Sequence, residues 1–279
     1  MKINLFGIKL DPLSQDEARE KFVSLVENSK QTSIIATVNL EFVWNALHDP
    51  DFKQVLNTKT KINSVDGAGI ILNYGLVNAW RPKTPVIKQI YVFFQWFLAY
   101  LFFPISIAIY RNFIPGTIAG SDFIWDIAKI SAQNNYRIFL LGYSKGLDPN
   151  VVEKASLKLQ TDINDLKVAG VYSSTDSIAD EKKIIEVVKK SSADILLVGF
   201  VSPRQEKWLA KNLAKTGCKV GVGVGGTFDF IAGVQKRAPR WMSKIGIEWL
   251  YRLIRSPKRI KRQMALPKIA LKVLVERIK

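Results

Sequence analysis

With 279 residues, the chain is long enough to bury a full core as one domain, or as one domain with an appendage. Its formal net charge of +17 is uneven: from Lys236 to Lys279 seven lysines and seven arginines stand against two glutamates, so +12 sits in the last 44 residues. A single cysteine, Cys218, excludes an internal disulfide and a cysteine zinc site, and a single histidine, His48, excludes a histidine-rich metal cluster.

Met1–Leu10 is a short mixed stretch without the pattern of a signal peptide, so a cytoplasmic protein is expected. Ser14-Gln-Asp-Glu17 reads as a capping box ahead of Ala18, Phe22, Leu25 and Val26 at helical spacing. Ser33–Thr37 is a buried strand that runs into Val38-Asn39-Leu40-Glu41. Polar residues at the carboxyl end of a strand are where ligands sit in open α/β sheets. Asn39 reads equally as the cap of the helix carrying Phe42, Val43 and Leu47. His48, at the end of that helix, reads as structural. Asp66 follows a second short strand, and Gly67 and Gly69 leave room for a ligand or a tight turn. Two such strand ends belong on one edge of one sheet.

Residues 86–113 depart from this rhythm. Ile90–Tyr110 carries 21 residues without a charge, between Lys88 and Arg111, long enough to span a bilayer as a helix. A span would separate the Asp66 strand from everything after Gly116. Pro104 and the closely spaced aromatics fit a hairpin or an in-plane amphiphile better. An internal core helix, or one buried against a partner subunit, is the plainer reading.

Beyond Gly116 strands and helices alternate again. Helices are expected from Gly120-Ser-Asp122, from about Asn150 to Leu159 and over Asp180–Ser191. Strands are expected over Arg137–Gly142, Leu166–Val171, Ala193–Gly199 and Lys219–Val224. This order implies a mostly parallel, doubly wound, Rossmann-like α/β sheet over residues 1–235, holding an apolar insert at about 86–113. Residues 236–279 read as a basic, arginine- and tryptophan-rich helical tail, whose charge calls for a polyanionic neighbour, either nucleic acid or the anionic face of a membrane.

Glycines end three strands (Gly142, Gly199, Gly225), so backbone amides and helix amino ends can face a diphosphate. None of these strand ends is read as the dinucleotide pattern G-x-G-x-x-G followed by an acid near +20, and no P-loop pattern appears, which argues against NAD enzymes and P-loop ATPases. Ser202 reads as a cap, but that does not account for Arg204, Gln205 and Glu206 together. Between residues 221 and 262 a glycine-rich turn (Gly221, Gly223, Gly225, Gly226) leads to Asp229 and then to the basic tail.

Thr37-x-Asn39-x-Glu41, Asp66-Gly-x-Gly69, Gly120-x-Asp122, Pro203-Arg-Gln-Glu206-x-Trp208 and the run G-V-G-G-x-F-D-F, R-A-P, E-W-L-Y-R-L resemble the WecG/TagA/CpsF family of bacterial glycosyltransferases. The resemblance covers roughly residues 1–262. It implies an inverting, metal-independent transfer of an N-acetylmannosamine-type sugar from a UDP-sugar to a polyprenyl-diphosphate-linked sugar, at the cytoplasmic face of the membrane, with no cofactor. Asp66 would be the catalytic base, with Thr37, Asn39 and Gln205 as its partners. Substrate-binding candidates are Glu41, Gly67, Gly69, Asp122, Arg204 and Gln205, then Glu206, Gly225, Gly226 and Asp229. The membrane and the lipid diphosphate would be met by Arg237, Arg240, Trp241 and Trp249, then by Arg252, Arg255, Arg259 and Arg262. Two departures stand out: the arginine that many members carry before Gly-x-Asp is absent from Thr117–Asp122, and the apolar insert lies just upstream. A phosphate-contacting arginine would then come from Arg81, Arg111 or the tail.

The chemistry agrees with the residues themselves. Inversion needs one base on the acceptor hydroxyl and positive charge or amides on the leaving diphosphate. A nucleic-acid-binding module would use the tail but leave the insert and the strand-end polar residues unexplained, so no nucleic-acid partner is expected. A non-catalytic UDP-binding scaffold is the third reading, and a homo-oligomer is left open.

Overall fold

The computed structural model describes residues 2–28, 31–143, 148, 150–174, 180–257 and 260–279. Ser144–Gly146 of the turn after Gly142, and Arg259, lie outside the described residues. Two short strands, β1 (Ile3–Leu5) and β2 (Ile8–Leu10), form an antiparallel hairpin. Its alternation buries Ile3, Leu5, Ile8 and Leu10, a period of two within a stretch that reads as merely mixed in sequence. Helix α1 (Gln15–Asn28) opens with the expected box: Glu17 N donates to Ser14 Oγ, and Ser14 N donates to the Glu17 carboxylate at 2.7 Å.

The chain continues through β3 (Ser33–Val38), α2 (Leu40–His48), α3 (Pro50–Gln54), β4 (Thr60–Val65) and α4 (Ala68–Asn78). The insert follows as α5 (Pro85–Leu101) and α6 (Phe103–Tyr110). Then come α7 (Gly120–Gln133), β5 (Arg137–Tyr143), α8 (Val151–Asp162), β6 (Lys167–Ser174), α9 (Glu181–Ser191), β7 (Ile195–Gly199), α10 (Arg204–Thr216) and β8 (Val220–Gly223). The last stretch is helical: α11 (Thr227–Ile231), α12 (Arg240–Lys244), α13 (Glu248–Arg255), α14 (Ile260–Gln263) and α15 (Ala265–Ile278).

Strands β3 to β8 form one six-stranded sheet in the order β4-β3-β8-β7-β5-β6, with every pairing parallel. Alternation along β5 shows the double winding. Ile138 and Leu140 pack with α1, α7 and α8 on one face, while Phe139 and Leu141 pack with α9 and α10 on the other. A third cluster joins the hairpin, α2, α4 and the insert beyond the β3–β4 edge.

The insert does not span a bilayer as one helix. Its two helices bend by 109° at Phe102, where Pro104 occupies the first turn of α6. The chain before it is bonded to the chain after it: Ile118 N donates to Val65 O at 2.8 Å, and β3 pairs with β8. A crossing would part those two segments.

The basic tail is not set apart from the domain. In α15 the spacing of Ala265, Ile269 and Val273 buries one stripe against α2, α4 and α5. Trp96 Nε1 donates to Ala270 O at 2.8 Å, and the fully buried Arg277 donates to Gln95 Oε1 at 2.7 Å and to the carbonyls of Ala79 and Trp80. Ile269→Ala is expected to cost about 2–5 kcal/mol by urea denaturation, as cavity-forming core changes do. Ile254→Ala, at a tail position 69% exposed, is expected to stay within about 0.5 kcal/mol. Equal small effects would show a tail that is not packed.

Candidate active site

A cavity of about 270 Å³ opens at the carboxyl ends of β3, β4 and β8, where the sheet meets the tail. Asp66 extends β4 by one residue, its amide donating to Val38 O at 2.8 Å. Gly67, at φ +90°, then turns the chain into α4. Because Ile118 is pinned to Val65, the amino end of α7 points at the Asp66 carboxylate, and Gly120 N lies 3.4 Å from Oδ2. Burial pushes the Asp66 acid up to about 6, against the opposing pull of Arg252 and the Gly120 amide. The group is therefore largely ionised at pH 7 and can still take a proton.

Thr37 and Asn39 line the same cavity from the end of β3. Asn39 caps α2: its Oδ1 accepts from Glu41 N at 2.9 Å and from Phe42 N at 3.2 Å. Glu41 lines the cavity and is held in two hydrogen bonds, 2.7 and 2.8 Å, by Arg262 of α14. Arg252 lines it from α13, paired to Glu248 one turn earlier and lying over the Phe230 ring. Gly67 and Gly69 lie in the wall, as do Gly225 and Gly226.

Gln205 is clamped on both sides. Its Oε1 accepts from Gly225 N at 2.9 Å, and its Nε2 donates to Glu206 Oε1 at 2.6 Å. Any side chain at position 223 would meet Gln205 Nε2 and Glu206 Oε1 at 2.6 and 2.7 Å, so only glycine lets β8 pass this pair. The pair thus fixes the glycine turn that forms one wall. Glu206 itself lies behind the wall, fully buried, and burial pushes its acid up to about 7.

Other expected residues lie off the cavity. Arg204 lies over the Phe200 ring, and Asp229 is hydrogen-bonded by Gln235. Asp122 forms an ion pair with Arg237 at the start of α7. Trp241 is exposed, Arg255 lies over Tyr251, and the backbone of Arg240 opens α12. Trp249, Arg252 and Arg262, expected to meet the membrane and the lipid diphosphate, line the cavity. Arg81 donates to Arg277 O and Arg111 lies in the turn after α6, so among the three sources expected for a phosphate-contacting arginine the tail is the one that reaches the cavity. His48 Nδ1 lies 2.8 Å from Trp44 O and its ring packs on Trp44, away from the cavity. Sequence reasoning missed Glu248, Ser243, Phe230 and Gln263; the four-residue spacing of Glu248 and Arg252 was the available signal.

The model of the glycosyl transferase WecG/TagA/CpsF family matches residues 3–96 and 105–279. Named relatives are N-acetylglucosaminyldiphosphoundecaprenol N-acetyl-beta-D-mannosaminyltransferases. That of Bacillus subtilis (strain 168) is 29% identical over 249 residues, 89% of this chain and 82% of the relative. That of Bacillus spizizenii is 25% identical over 263 residues, 93% and 87% of the two chains. That of Staphylococcus aureus (strain MW2) is 25% identical over 267 residues, 95% and 89% of the two chains.

The raised Glu206 acid has a consequence for stability. Its folded value of about 7 exceeds the ordinary 4.5, so the folded state holds this proton more tightly. Its contribution to stability is intact below pH 4.5, is lost as pH rises through 7, and is level above that. Glu206→Gln imitates the protonated form. Its melting temperature should match wild type near pH 4.5 and exceed it increasingly up to pH 7. A difference that does not change with pH would contradict this account of Glu206.

Proposed function

The chain belongs to the WecG/TagA/CpsF family of glycosyltransferases, and on that premise we propose that it moves an N-acetylmannosamine-type sugar from a UDP-sugar to a polyprenyl-diphosphate-linked sugar. The names of the relatives supply the sugar and the lipid-linked acceptor. The observation that carries the reading is Asp66, a carboxylate with a raised pKa on the cavity floor beneath the amino end of a helix.

In this reading Asp66 takes the proton of the acceptor hydroxyl as its oxygen attacks the anomeric carbon of the donor. The bond from that carbon to the β-phosphate oxygen breaks, UDP leaves with the electron pair, and the configuration inverts. Among the described residues the cations lining the cavity are guanidinium groups, Arg252 and Arg262, which suits a leaving diphosphate stabilised by arginine without a metal. The glycine turn held by Gln205 shapes the same wall. A lipid-linked acceptor puts the enzyme at the cytoplasmic face of a membrane as a peripheral protein, serving cell-surface polymer synthesis.

Purified protein, UDP-sugar donors and a short-chain lipid-diphosphate sugar, read by mass spectrometry, test the reaction. Asp66→Asn should lower turnover by about 10²–10⁴ while leaving calorimetric UDP binding in place. Wild-type rate should rise with pH through an apparent pKa near 6, the value burial gives Asp66. Unchanged turnover in the Asn variant would remove Asp66 from this role.

A further inference from the structure

We propose that the elbow formed by α5 and α6 seats this chain in the hydrocarbon edge of a lipid bilayer, entering with residues 97–104 and returning to the same side. This deepens the reading above by naming the surface on which the lipid-linked acceptor is met.

The elbow is built inside out for a protein surface in water. From Gln89 to Tyr110 it carries no charge, and cations stand at its base in Lys83, Lys88 and Arg111. Its hydrogen-bonding side chains turn inward: Gln95 accepts from Arg277, Trp96 donates to Ala270 O, and Tyr100 Oη donates to Asn73 Oδ1 at 2.7 Å. Beyond Gln89 and Tyr91 near the base, what remains outside is hydrocarbon and ring. Phe94, Phe97, Leu101, Phe102, Ile105 and Ile109 are each 47–60% exposed on the two arms and the bend. Trp80 and Tyr91 pack edge to face at the base, the position in which amphipathic rings favour headgroups. An apolar patch of this kind marks a partner or a membrane.

Three observations select the bilayer over a second copy. The family match leaves out residues 97–104, F-L-A-Y-L-F-F-P, so this chain extends the bend with apolar residues alone. The cationic tail packs on the elbow at both arms: α15 lies along α5, and Gly246, between α12 and α13, lies against Ile107 and Phe103 of α6. Cations beside hydrocarbon complement anionic headgroups above an acyl core, whereas a second copy would bring its own cationic tail beside the first. Finally, Gly246 also lines the cavity, so the elbow adjoins the site in which a membrane-held diphosphate would react. The 17 residues of α5 span about 25 Å, short of the roughly 30 Å hydrocarbon core, and the 109° bend turns the chain back.

The test is sedimentation with neutral phosphatidylcholine vesicles in about 1 M NaCl, where charge attraction is screened within about 3 Å. Wild type should bind. Combined Phe97→Ser, Phe102→Ser and Ile105→Ser should weaken binding about tenfold or more, while melting temperature and UDP binding stay at wild-type values, since all three side chains are exposed. In Phe102→Trp, the new indole should be quenched by lipids brominated along the acyl chain. The triple variant should keep wild-type activity on a water-soluble short-chain acceptor and lose it on a vesicle-embedded one. Unchanged vesicle binding in the triple variant, or an unquenched indole, overturns the proposal. So does a wild-type dimer that the same substitutions split into monomers while vesicle binding is retained. Wild type inactive on every acceptor yet bound through the elbow would instead defeat the reaction assigned above and leave the docking surface standing.

Discussion

One backbone hydrogen bond governs the architecture: Ile118 N to Val65 O. It joins the chain that leaves the sheet at Asp66 to the chain that returns at α7, across more than 50 intervening residues. That closure puts the amino end of α7 over the Asp66 carboxylate and makes a polar floor from two distant segments. It also restricts the long apolar insertion between them, which must depart from and return to the same edge of one sheet. A bent pair of helices meets that condition, and a single crossing does not.

The second organising fact is the return of the tail. Its cationic composition reads as an appendage, but its last helix buries Ile269 and Val273 and carries a fully buried guanidinium whose two terminal nitrogens donate to one amide oxygen and two carbonyls. Burying a cation is costly unless it is hydrogen-bonded, so these contacts tie the last helix to α5 and to the chain before it. Insert and tail are thus one structural unit, and that unit closes one side of the cavity through Gly246, Trp249 and Arg252.

Much of this was legible in the residues. Asn39 and Asp66 follow apolar runs at strand ends, so the rule for open sheets places them on one edge. Ser14 and Glu17 form both bonds of their box. Rotation about a helix axis was not legible. Arg204 and Gln205 are neighbours in the chain, yet successive helical residues differ by about 100°, so one lies over Phe200 and the other turns into the glycine loop. The tail failed to read as core for a related reason. Its buried stripe recurs every four residues among seven lysines and seven arginines, and average composition hides a stripe that narrow.

The two arginines in the cavity wall already hold carboxylates, Arg252 with Glu248 and Arg262 with Glu41, and both acids line the same space. With Asp66 counted as well, three carboxylates face these two arginines, so the cavity wall holds no surplus of positive charge. An arriving anion does not fill a vacancy; it takes part in an exchange, in which each new contact is gained at the expense of an old one. A small, monovalent solute gains little from such a swap. A ligand that engages several groups at once gains from chelation, so the resident carboxylates act as a filter on valence and reach before shape is consulted.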